Sequence, residues 1–61
     1  MGETALMKAA ENGHSAIVRA LLAHGADADG KNVFGQTALM LAEARGHADI
    51  VALLKQAGAK E

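Results

Sequence analysis

Cysteine, proline, tryptophan and tyrosine never occur in this chain, and phenylalanine occurs once. Without cysteine there can be no disulfide and no thiolate zinc ligand, the usual supports of a small domain besides a partner chain. The lack is compatible with a reducing cytosol. Sixty-one residues suffice for one small domain, which buries only about 60% of the surface its unfolded chain exposes. No apolar run approaches the roughly 18 residues of a membrane helix. The opening MGETAL has no basic segment followed by an apolar one, so it does not read as a signal peptide. Leu6 also stands where the myristoylation pattern requires Ser or Thr. Charge is nearly balanced, six Lys/Arg against seven Asp/Glu, and no basic stripe of the kind nucleic acid requires is present. The expectation is a soluble, intracellular, cytoplasmic protein with neither a nucleic-acid nor a membrane partner.

What the chain has in quantity is repetition. TALM stands at 4–7 and again at 37–40, and GH at 13–14 and 46–47. The offset is 37 − 4 = 33, which sets residues 1–28 against 34–61, and thirteen of those pairs are identical. In the first copy they are Gly2, Thr4, Ala5, Leu6, Met7, Ala9, Gly13, His14, Ile17, Val18, Leu21, Gly25 and Ala26. Low complexity cannot produce such matches, and a fixed period of this length indicates internal duplication.

Each copy reads as two short helices. Leu6, Ala9 and Ala10 recur at helical spacing over Ala5–Asn12, Thr4 is a suitable N-cap, and Gly13 a suitable left-handed stop. A second helix is predicted over Ser15–His24, with Ile17, Val18, Leu21 and Leu22 as its stripe and Gly25 closing it. The second copy repeats this as Ala38–Arg45 and Ala48–Ala57. Between them HGADADGKNVFGQ has three glycines and no helical stripe, so it reads as an extended, hairpin-like finger. Asn32-Val33-Phe34-Gly35 suits a type I turn within it.

The stretch TALMKAAENGHSAIVRALLAHGAD resembles the ankyrin repeat pattern T-P-L-H-x-A-A-x-x-G-H-x-x-I-V-x-L-L-x-x-G-A-D, and the resemblance runs from Gly2 to Ala59. It implies an all-α solenoid of two helix–turn–helix repeats joined by a finger loop. Residues 1–61 then form a single unit, with repeat one at about 2–34 and repeat two at about 35–61. Ala5 and Ala38 replace the family's proline. Met7 and Met40 replace its histidine, which rules out the family's Thr–His hydrogen bonding. Ala28, Asp29 and Gly30 stand where Val, Asn and Ala are usual, so the finger is expected to lose an apolar anchor.

Two repeats bury one shared interface and leave two outer faces, whereas stable arrays usually need at least three units. Ala10 becomes Glu43 and Leu22 becomes Lys55 in the second copy, polar changes suited to a C-terminal cap. The first copy keeps Ile17, Val18, Leu21 and Leu22, an outer face still largely apolar. Burying each is worth about 1.5–3 kcal/mol, so a neighbour is expected there. It could be further repeats of a longer array, of which this is the C-terminal part, or a second copy of the chain. Self-association through that face is the favoured reading.

The residues offer little chemistry. His14 and His47 lie in equivalent turns one repeat apart, and packed helices about 8–10 Å apart place them poorly for one zinc. His24, near a helix end, suits the dipole. Ser15 adjoins His14, but neighbours do not face each other on a helix, and Ser15 reads as a cap of the second helix. Asp49 reads as dipole compensation, and Asp27 and Asp29 lack a partnered acid or base. Glycines 25, 30 and 35 have no phosphate-loop spacing. No enzyme activity, catalytic residue, metal site or cofactor is expected. The methionines of TALM read as packing against the adjacent helix. Phe34 either anchors a partner or packs back on the finger or under the third helix.

The resemblance implies recognition of another protein on the surface formed by the fingers and first helices. The matching positions that vary between the copies are Glu3, Glu11, Asn12 and His24, then Lys31, Asn32, Val33, Phe34, Gln36, Ala44 and Arg45. The competing expectation is a purely structural, self-assembling repeat with no external ligand.

Overall fold

The computed structural model describes residues 4–58. Four helices follow one another, α1 (Ala5–Glu11), α2 (Ser15–Ala23), α3 (Ala38–Ala44) and α4 (Ala48–Gln56), with no strand among the described residues. Thr4 and Thr37 open α1 and α3 from extended backbone. Their hydroxyls accept the Met7 and Met40 amides at 3.1 and 3.2 Å, which satisfies one orphan donor of each helix. The Thr hydroxyls therefore serve the backbone in a chain whose methionines cannot answer them.

Each predicted helix proves one residue shorter at its end. Asn12, His24, Arg45 and Ala57 are C-caps rather than helical residues, because the glycine after each turns the chain left-handed. After α1 the Gly13 amide donates to the Ala10 carbonyl and the His14 amide to that of Ala9, and Gly46 and His47 repeat this after α3. This double bond pattern ties off the last carbonyls and needs a positive φ, +79° at Gly13 and +75° at Gly46.

The expected cap at Ser15 is not formed. His14 holds the N-cap position of α2 with no side-chain cap bond, and Ser15 is the first helical residue. The chain enters α2 directly from the Gly13 turn, and α4 starts the same way with Ala48 in that place, so the turn requires no hydroxyl. Asp49 does lie in the first turn of α4, where its charge favours the helix dipole.

Helix α1 packs on α2 and α3, α3 on α4, and α2 on α4. The core is Leu6, Met7, Ala9, Ala10, Val18, Ala38, Leu39, Leu41, Ala42, Ile50 and Leu54. Alanines at 9, 10, 38 and 42 let α1 and α3 approach closely. Ala26 and Ala28 pack at the core's margin, so the finger keeps a small apolar anchor where none was expected.

Identical residues in the two copies do not share an environment. Met7 is 1% exposed and Met40 39%, while Ile17 is 50% exposed and Ile50 fully buried. The packing expected of the methionines is complete at Met7, whose Cε reaches the loop at Gly30, and only partial at Met40. The apolar face expected on the first copy is also narrower. Val18 is interior and Leu21 and Leu22 are half-buried against the core, which leaves Ile17 as its exposed large side chain.

Candidate partner-binding surface

The finger builds its tip from one asparagine. The Gly35 amide donates to the Asn32 carbonyl at 3.0 Å, closing the expected turn, and the Asn32 amide donates to the Gln36 carbonyl at 3.0 Å. The Asn32 side chain completes it. Its Oδ1 accepts the Phe34 amide at 2.9 Å and the Gln36 amide at 3.0 Å, and its Nδ2 donates to Gln36 Oε1 at 3.0 Å. Gly35, at φ +76°, lets the chain leave the turn toward α3. Earlier in the loop, Asp27 Oδ1 accepts the Asp29 amide at 2.9 Å.

This fixed turn holds Val33 and Phe34 outward. Phe34 is 80% exposed, so it does not pack back under α3. Lys31 and Gln36 are exposed beside them. The turn thus places an apolar pair in water, rimmed by an amide and an ammonium group.

A second group forms where α1 and α3 end. Arg45 Nη2 donates to Glu11 Oε2 at 2.8 Å across the two helix pairs. Both residues face solvent in part, so the bridge is worth about 0.2–1 kcal/mol. Asn12 and Ala44 are exposed nearby in sequence. Helix α3 separates this group from the finger by its own length, roughly 10 Å at 1.5 Å per residue. His24 caps α2 and is exposed, and no hydrogen bond or ion pair among the described residues joins it to either group. Glu3 lies outside the described residues.

Sequence reasoning missed the contact that locks the two pairs at this end. His47 Nε2 lies 3.1 Å from the Glu11 carbonyl oxygen. A carbonyl only accepts, so the ring carries its proton on Nε2 and donates. The same ring lies over Gly13, where an added Cβ would come within 2.9 Å of His47 Cε1. The signal was the repeated GH itself, a small residue on one unit receiving the ring of the next. On the second pair the equivalent place is a shallow hollow lined by Glu43, Gly46, His47, Ala48 and Val51. A Cβ at Gly46 would meet nothing within 4 Å.

Among the described residues no group of three or more His, Asp or Glu side chains could hold a metal ion. No helix among them is long and apolar enough to cross a membrane. No curated protein and no solved structure matches the chain. A family model described as ankyrin repeats (3 copies) matches residues 1–61.

Proposed function

The chain belongs to the ankyrin repeat family, and we propose on that premise that it acts by recognising another protein. Ankyrin repeats are generally protein–protein interaction modules and typically not enzymes. The observation that carries the reading is Phe34, the chain's one aromatic residue, held in water on a turn fixed by Asn32. An apolar side chain on a rigid turn loses little entropy on docking and gains the free energy of its burial. Val33 shares the tip, with Lys31, Asn32 and Gln36 around it. Glu11, Asn12, Ala44 and Arg45 extend the proposed surface, and Glu3 and His24 complete it. A specific interface takes about 800 Å² per partner, which sets the scale of the surface proposed.

The uncovered faces belong to the same proposal. Exposed Ile17 supports self-association through the outer face of the first helix pair. Exposed Glu43 and Lys55 make the outer face of the second pair more polar than that of the first, which supports it as the C-terminal unit of a longer array or of a short protein that associates with itself. Repeat one is taken as about 2–34 and repeat two as about 35–61. A cytoplasmic setting goes with this reading, since a fold without cysteine demands no oxidising compartment.

The exposed Ile17 also favours a second reading, a self-assembling repeat with no external ligand. Capture of partner proteins by the wild type and by V33S/F34S separates the two. Recognition by the finger predicts that the captured set disappears while helical signal and mass in solution stay unchanged. An unchanged set would remove the tip from the recognition surface. An oligomer that dissociates would assign the tip to assembly.

A further inference from the structure

We propose that copies of this chain assemble head to tail, the outer face of α1 and α2 seating on the outer face of α3 and α4 of the next copy. The contact repeats the register that joins the two helix pairs within one chain. This deepens the self-association reading and rests on it, but names a different mating surface from a face pairing with itself.

Three observations on the two outer faces carry the inference. The first is the histidine contact. Within the chain, His47 of the second pair covers Gly13 of the first. By the 33-residue offset the unused halves of that contact are His14, exposed on the first pair, and the hollow at Gly46 on the second. Gly46 has the same left-handed backbone as Gly13 and open space above it. One molecule therefore carries both a free ring and a free seat for it.

The second is apolar area. Met7 and Ile50 are buried, and their counterparts Met40 and Ile17 are, among the described residues, the exposed large apolar side chains outside the finger. Each outer face holds one of them. Head-to-tail docking places Met40 and Ile17 in the environments that bury Met7 and Ile50 within the chain.

The third is charge. The internal positions Ala10 and Leu41, both buried in the shared core, become Glu43 on one outer face and Lys8 on the other, both exposed. Glu43 and Lys8 thus stand as opposite charges on opposite faces, while Lys55 shares the face of Glu43. Two first-pair faces brought together would place both Lys8 groups in one interface without a Glu43, and two second-pair faces both Glu43 groups without a Lys8, unmatched arrangements that electrostatic complementarity disfavours. The contact is nonetheless weaker than the internal one. Lys55 replaces the half-buried Leu22, and Asn12 with Ala44 cannot reproduce the Arg45–Glu11 bridge. A heterologous contact also leaves a free face at each end, so growth does not stop at a dimer.

Sedimentation equilibrium over a dilution series tests this with K8E, E43K, the double variant K8E/E43K and an equimolar mixture of the single variants. The wild-type mass is expected to rise with concentration beyond twice 6.2 kDa. Each single variant is expected to associate about tenfold more weakly, and the double variant and the mixture to recover, since both restore Glu–Lys apposition. Lys8 and Glu43 are exposed, so helical signal should be unchanged throughout. A mass that stops at a dimer and ignores E43K would overturn the head-to-tail register while keeping self-association through the first face. A wild type that stays at 6.2 kDa at every concentration would overturn both.

Discussion

The His47 ring covers Gly13 so closely that a single added methyl would sit 2.9 Å from its Cε1. The two positions mark the joint between the helix pairs, and the joint can be measured by comparing equivalent glycines. G13A and G46A both force alanine into left-handed backbone, at about 1–2 kcal/mol each. Only G13A also displaces the His47 ring and its hydrogen bond to the Glu11 carbonyl, worth about 1 kcal/mol more. In urea unfolding G13A should be the more destabilised of the two. In a double-mutant cycle H47A should remove that excess. Equal midpoints for G13A and G46A would show that the ring contributes nothing to the joint.

Met7 and Met40 make a second matched pair, the same residue in the same sequence context with opposite burial. M7A empties a fully packed site and should cost about 2–5 kcal/mol. For a domain of this size that is a large part of its whole stability. M40A removes a side chain that is 39% exposed and should cost about 1 kcal/mol at high dilution. Thermal melts of the two variants read the difference directly, and similar losses would contradict the burial described here.

Asn32 should act on the finger without acting on the fold. N32A removes the acceptor of the Phe34 and Gln36 amides and the donor to Gln36 Oε1. All three bonds are exposed, so the expected stability loss is about 0.5–1.5 kcal/mol. Amide exchange at Phe34 and Gln36 should accelerate while that of the Ala42 and Leu54 amides, inside α3 and α4, keeps its protection. Acceleration spread evenly over the chain would mean that the finger and the core are one cooperative unit.

Much of this molecule was legible in its sequence because its signals are local. The Thr4 and Thr37 caps, the glycine stops and the Asn32–Gly35 turn each act within a few residues, and all form where their residue types require. Ser15 misled because a hydroxyl caps a helix only from a residue whose own backbone is still non-helical, and after the Gly13 turn that place falls to His14. Burial was harder to read for a physical reason. Ile17 and Ile50, like Met7 and Met40, have the same local pattern, and their exposure is decided by whether another helix pair stands against them. The Glu11–Arg45 bridge, 34 residues apart in sequence, belongs to the same class, as does His47 over Gly13. The exposure of Phe34 lay open for a similar reason, since only the folded turn determines whether its ring finds a surface.

The outer faces and the finger tip are proposed to do different work, one holding copies of the chain together and the other meeting a different protein. Sedimentation equilibrium on wild type, I17S and V33S/F34S side by side is the most direct test of that division. The wild type and the finger variant should show the same concentration-dependent rise in mass, and I17S should remain near 6.2 kDa with its helical signal intact. A finger variant that falls to monomer, or an I17S variant that assembles as the wild type does, would contradict it.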